Sequence, residues 1–223
     1  MKNCLCMCAV AGTIAGASHG EFIVVNNPVA DTVGFYSDAF SSKGTYTYAQ
    51  SGAQAFSLED SYQTSSLRWW GSMNGFNGQG LQNIECFEVI VWDSSFDSMV
   101  VQDTYGLAEM SVIETGEENF FGQPVYEFLL SFSFQIAAGS YYMNIGAQLD
   151  DAAGDQFVWS QGEDVEGFWF TDENGTNKWG DWRPLPNFIG NTAGGAFVMT
   201  APAPGAIAMA GLAGLVGKRR RAR

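Results

Sequence analysis

Apolar residues through the middle of the chain recur at every second position. From Pro124 to Ile136, Tyr126, Phe128, Leu130, Phe132, Phe134 and Ile136 fall on one face, with Glu127, Ser131, Ser133 and Gln135 on the other. A period of two is the mark of a strand with one face in a core and one toward water. The stretch from Glu85 to Trp92 repeats it, with Phe87, Val89 and Val91 on one side and Cys86, Glu88, Ile90 and Trp92 opposite. Shorter strand-like runs are Phe22 to Val25, Thr45 to Ala49, Gln54 to Leu58, Leu67 to Trp70, Met99 to Asp103 and Ala108 to Glu114. Ser140 to Ala147, Gln156 to Ser160, Gly167 to Thr171 and Gly195 to Thr200 continue the series. Clusters of Gly, Asn, Asp and Ser separate them, at Asn74 to Gly80, Asp150 to Asp155 and Asp172 to Asn177. No amphipathic helix of useful length breaks the pattern. About a dozen short strands joined by turns predict an all-β fold, a two-sheet antiparallel sandwich that is jelly-roll-like by strand count.

The pattern changes at both ends, which divides the chain into 1–20, 21–200 and 201–223. In the first segment Lys2 is a positive start, Leu5 to Gly16 is apolar and small, and Ala15-Gly16-Ala17 or Ser18-His19-Gly20 offers small residues for cleavage. This is the layout of a signal peptide helix, to be removed by signal peptidase. Cys4, Cys6 and Cys8 lie inside it and are read as part of the signal rather than as a metal site; Leu5, before Cys6, is too large for a lipoprotein box. In the last segment Pro202, Ala203, Pro204 and Gly205 precede a run from Ala206 to Gly217, which ends in Lys218, Arg219, Arg220, Arg221 and Arg223. As a helix, Gly205 to Gly217 would span roughly 20 Å, short of the ~30 Å hydrocarbon core of a bilayer. The basic end favours the cytoplasmic side, so the body would sit outside with the tail transiently in the membrane. The prolines keep the segment before the helix extended and accessible to a processing enzyme. A plain single-span anchor with a stop-transfer cluster would place the body the same way.

A short Pro-x-Pro motif, a small-residue apolar helix and a terminal Arg cluster, in that order, resemble the PEP-CTERM sorting signal, also labelled the ice-binding protein C-terminal domain. Ala203 stands where that signal typically has Glu. The resemblance implies recognition by an exosortase-type membrane protease in an exopolysaccharide-producing bacterium, and delivery to the cell surface or extracellular matrix. The ice-binding label implies no antifreeze activity. A second resemblance runs over the body, through Leu67-Arg68-Trp69-Trp70-Gly71, Phe87 to Asp93, Tyr126 to Phe134, Ala138 to Tyr142, Phe157-Val158-Trp159 and Ala196-Phe197-Val198. It is similar to the β-sandwich cargo domains found ahead of such signals, a family without an assigned activity.

Setting the two ends aside sharpens the charge. Four of the ten basic residues, Lys43, Arg68, Lys178 and Arg183, then face all 24 acids, a balance of −20. Such a body repels nucleic acid and anionic membrane surfaces. His19 is the single histidine and falls in the signal segment, which removes Ser-His-Asp and Cys-His chemistry and every histidine-ligated metal. Cys86 alone remains in the body, so no disulfide forms within it, and its apolar setting predicts a buried thiol.

Three constellations could carry chemistry. Sugar rings stack on flat aromatic faces while Asp and Asn bind hydroxyls, and Trp69, Trp70, Trp159, Trp169, Trp179 and Trp182 lie near Gly, Asn, Asp and Arg. Trp179, Asp181, Trp182 and Arg183 are the strongest candidates, because they flank turn residues; core packing is the competing reading. Trp69 and Trp70 point to opposite faces of one strand, so one belongs to the core. Asp150, Asp151 and Asp155 could supply hard oxygen ligands to calcium, although the spacing is not that of an EF-hand and a solvated turn explains them too. A carboxylate pair for glycoside cleavage needs a cleft and a perturbed pKa, neither visible in a sequence. The expectation is an exported, non-catalytic surface or matrix protein with no required cofactor. The alternative is a lectin-like module for exopolysaccharide or cell-envelope glycans, with a glycan-active enzyme behind it.

Overall fold

Strand follows strand through the residues that the computed structural model describes, which are 20–29, 34–42, 45–74, 80–149, 156–163, 167–172, 183–184 and 194–202. The first eight are β1 (Glu21–Asn26), β2 (Phe35–Tyr36), β3 (Asp38–Ser42), β4 (Thr45–Leu58), β5 (Tyr62–Gln63), β6 (Ser66–Asn74), β7 (Ile84–Asp93) and β8 (Met99–Tyr105). The next eight are β9 (Met110–Glu118), β10 (Pro124–Ser131), β11 (Gln135–Ile136), β12 (Gly139–Leu149), β13 (Gln156–Trp159), β14 (Gly167–Asp172), β15 (Arg183–Pro184) and β16 (Phe197–Ala201). Two single 3-10 turns, Gly80–Asn83 and Leu107–Glu109, are the helical elements among the described residues.

The fold is all-β and sandwich-like. One sheet runs β1-β16-β6-β10-β9, with β13 pairing the far end of β6 and β2 beyond it. The other runs β15-β14-β4-β3-β12-β7-β8. Pairing is antiparallel except between β3 and β12, which run parallel. Side chains alternate across each strand, so the facing surfaces interdigitate. Trp69 and Phe128 of the first sheet stack at 5.3 Å, and Phe87 of the second meets them edge-on at 5.2 and 4.9 Å. Phe157 closes the group against Phe87 at 5.0 Å. Leu67, Leu130, Phe132, Ile136, Val89, Val91, Met143, Ile145 and Leu149 extend this core. Each fully buried Phe or Leu stabilises by about 1.5–3 kcal/mol relative to exposure, and these rows are why the period of two folds as it does.

Ser37 joins the two sheets. Its N–H donates to Phe157 O in the first, and its carbonyl accepts from Ala147 N–H in the second, at 3.0 and 2.8 Å. Its hydroxyl donates to Ile145 O. Close by, Asn144 donates through Nδ2 to Ser51 Oγ and to Gly52 O, both at 2.6 Å. These buried polar groups sit where β4, which pairs β12 from Gly139 to Asn144, gives way to β3, which pairs it from Ala147 to Leu149. Side chains there replace ladder bonds that a forking sheet cannot make.

The structure corrects several expected boundaries. Thr45–Leu58 is one strand where two runs were expected, since Gly52 and Ala53 fit a strand that has neighbours on both sides. The Pro124 to Ile136 run is interrupted after Ser131, where the chain leaves β6 and joins β5. Thr64 bridges the change, donating from Oγ1 to Phe132 O and accepting from Phe134 N–H, so Phe132 and Ile136 stay in the core. The strand expected from Ala108 begins at Met110 because Leu107–Glu109 turns, held by Gly106 N–H donating to Glu109 Oε2 at 2.7 Å. Glu21–Ala201 forms one compact unit. The expected signal helix and C-terminal hydrophobic helix lie outside the described residues, and among those described no helix is long and apolar enough to cross a membrane.

Candidate interaction surface

The described residues carry little of the chemistry expected from the sequence. Trp179, Asp181, Trp182, Asp150, Asp151 and Asp155 lie outside them, as do Ala203, Pro204, Gly205, Lys218, Arg219, Arg220, Arg221 and Arg223. Pro202 is described, directly after β16 and half-buried. Arg183 is placed by its backbone in β15, in register with Trp169 of β14 at the end of the second sheet. Trp69 and Trp159 are fully buried, and Trp70 and Trp92 nearly so, which removes these four rings as sugar platforms. Trp159 is held by its indole N–H donating to Ala196 O at 2.8 Å. Its ring lies so close over Gly195 that no Cβ would fit there.

What the structure brings together instead is the outer face of the first sheet. Register aligns Val25, Val198, Arg68, Leu129 and Ser111 in one row across β1, β16, β6, β10 and β9. A neighbouring row carries Trp70, Glu127 and Ile113. Trp70, Val125, Ala196 and Val198 pack into a second apolar cluster on this outer side, away from the main core. Around that cluster, toward the two edges of the sheet, Phe22, Val25, Ile113, Phe120 and Phe121 stand 45 to 63 % exposed.

Phe120 and Phe121 form the tip of the β9–β10 hairpin. Asn119 builds it: Oδ1 accepts from the N–H groups of Phe121 and Gln123 at 2.9 and 3.0 Å, while Nδ2 donates to Ser72 Oγ at 2.7 Å. Gly122 closes the turn with φ 71, where a side chain would be strained, and its N–H donates to Asn119 O at 2.8 Å. The two rings meet edge to face, 5.5 Å apart at 84°. Beside the tip, Ser72, Val125, Val158 and Ser160 floor a notch of about 20 Å³, flanked by Glu117 and Glu118 and large enough for about one water.

The electrostatics of the face differ from those of the rest of the body. Arg68 Nε and Glu127 Oε1 lie 3.4 Å apart in its middle. Elsewhere acids prevail. Tyr105, at the end of β8, has its pKa pushed up to about 12, first by burial and then by donating its hydroxyl to Asp103 Oδ2 at 3.1 Å. Burial, then the charges of Glu85 and Glu88, raises the Cys86 thiol above its ordinary value. Asp93, which caps the β7–β8 turn, is held below its usual range, chiefly by the Ser95 hydroxyl at 2.8 Å. That turn carries Phe96 at φ 60 and stacks its ring on Tyr142, 4.1 Å away. Among the described residues no group of three or more His, Cys, Asp or Glu is gathered as metal ligands would be.

Comparison with protein-family models and with curated proteins matches neither a family nor a relative. The sorting-signal resemblance therefore stands on residues 202–223 alone. The hairpin tip is not among the turns expected from the sequence, although Asn119 and Gly122 are turn residues that could have marked it, and no periodicity tells which outer face will be left uncovered.

Proposed function

We propose that this chain is an exported bacterial surface or extracellular-matrix protein whose β-sandwich body acts by binding rather than by catalysis. Its fold reads more finely as jelly-roll-like, with a signal helix before the body and a sorting helix after it. One observation supports the interactive role above all: among the described residues, a strongly acidic body keeps all but one of its exposed large apolar side chains on one sheet, its hairpin tip and the bordering segment. Surfaces of that kind mark binding sites on soluble proteins. Delivery rests on segment 1–20, removed by signal peptidase, and on Pro202, Ala203, Pro204 and Gly205 as the processing motif with the five basic residues as its stop, read by an exosortase-type protease. Expression of the full chain and of a chain ending at Ala201 in an exosortase-bearing bacterium tests this. The full chain should appear at the surface or in the matrix and the shortened one in the medium. Identical distribution would sink the sorting role.

The glycan-binding reading has its own support. Pairing of β14 with β15 sets the backbone of Arg183 in register with Trp169, another of the Trp residues that reading draws on. A polysaccharide panel, run with calcium and with chelator, checks it. Binding lost in Trp179→Ala or Trp182→Ala would make this the better reading, and chelator sensitivity would point to Asp150, Asp151 and Asp155.

A further inference from the structure

We propose that the outer face of the first sheet is a self-association surface, on which a second copy of this chain docks face to face about a two-fold axis. This rests on the interaction reading above and names the partner. Of the seven exposed large apolar side chains among the described residues, Phe22, Val25, Val29, Ile113, Phe120 and Phe121 belong to this sheet or the segments that border it. The seventh, Val100, lies on β8 at the edge of the other sheet.

Charge selects the occupant. The centre of the face holds one cation and one anion, Arg68 and Glu127, already paired, while the body as a whole carries −20. Two copies repel one another over most of their surfaces, and a locally neutral, apolar face is where approach costs least. A basic partner would instead be drawn to acid-rich regions such as the β8–β9 side, where Asp103, Glu109 and Glu114 stand exposed. The face is also self-complementary. Arg68 and Glu127 sit on adjacent strands, so a two-fold axis between them sets the Arg68 of one copy near the Glu127 of the other, as an isologous contact requires. Five strands about 4.8 Å apart, each lending about five residues, give a footprint of roughly 20 by 17 Å. That is smaller than the ~800 Å² per partner of a standard interface, so the dimer is weak and concentration-dependent. Glu117 and Glu118 lie at its rim, so screening should strengthen it.

Sedimentation velocity of the full chain, over a range of concentrations at low and high salt, tests the proposal. The wild type and Val100→Lys, which alters the other sheet, should move from monomer to dimer with concentration, and more readily at high salt. Val25→Lys and Ile113→Lys should weaken association by roughly tenfold or more, since each buries a lysine in an apolar contact. Both positions are exposed, so folding, followed by circular dichroism, should not change. A chain that stays monomeric at every concentration overturns the proposal. So does association that both face variants leave intact, as the apolar tail would cause, or that weakens with salt. A monomer whose Val25→Lys or Ile113→Lys form binds the cell surface less well would overturn the dimer and leave the interaction reading standing. A dimer whose face variants keep full surface binding would do the reverse.

Discussion

Two indoles lie fully buried in the same core with different polar surroundings. Trp159 donates to Ala196 O, whereas Trp69 Nε1 has no hydrogen-bond partner and sits among Phe87, Phe128 and Phe157. Changing either to Phe removes the same volume. Trp159→Phe also orphans a buried carbonyl, while Trp69→Phe removes an unsatisfied donor, so Trp159→Phe should be the more destabilising by about 1–2 kcal/mol. Urea unfolding of the two variants checks this, and equal costs would refute it. Tyr105 makes a second prediction. A phenol whose folded pKa is raised holds its proton more tightly in the folded state, so its contribution is complete below the ordinary value of 10 and is lost as pH rises toward about 12. Absorbance titration should show a tyrosine step near 12, and Tyr105→Phe should remove that step and lessen the loss of stability across the same window.

At the level of elements, the β9–β10 hairpin is stabilised from its turn. Asn119→Ala would delete two bonds to backbone N–H groups and one to Ser72, and should cost about 2 kcal/mol, read as a lower urea midpoint. Phe120→Ser with Phe121→Ser should leave the midpoint within about 0.5 kcal/mol, because both rings face water. A large loss from the second change would mean that the tip packs against the body. Sequence alone disclosed the strands that carry a full period. β7 and β10 alternate over eight residues or more, and Phe87, Val89, Val91, Phe128 and Leu130 are in the core as that alternation requires. The elements β2, β5 and β15 escaped notice because two residues hold no period. β3 escaped because Asp38–Ser42 shows no apolar alternation, and it is held by antiparallel pairing to β4 and parallel pairing to β12. Alternation also showed that Trp69 and Trp70 part company. It could not show that Trp70 would be covered by Val125, Ala196 and Val198, which come from two other stretches of chain.

Across the whole molecule, self-repulsion is the dominant electrostatic term. With 24 acids against ten basic residues, six of them at the chain ends, the folded body concentrates negative charge that an unfolded chain would spread out. Thermal unfolding should therefore move to higher temperature as sodium chloride is raised from low levels to about 0.15 M, where the Debye length falls to about 8 Å. A midpoint insensitive to salt would refute the claim that self-repulsion limits stability.

The closing ladder of the first sheet bears on how the body withstands force. β1 pairs β16 antiparallel, with Glu21 beside Ala201, so both ends of the body leave from one corner. Bonds in such a ladder lie across the strands, and pulling those two ends apart would load them one at a time, as a zipper opens. Drag on a body held only beyond Ala201 would act differently. The load would enter β16, which has β1 on one side and β6 on the other, and the rungs of both neighbours would share it. The body should thus withstand a load applied at one end better than a load that pulls its two ends apart.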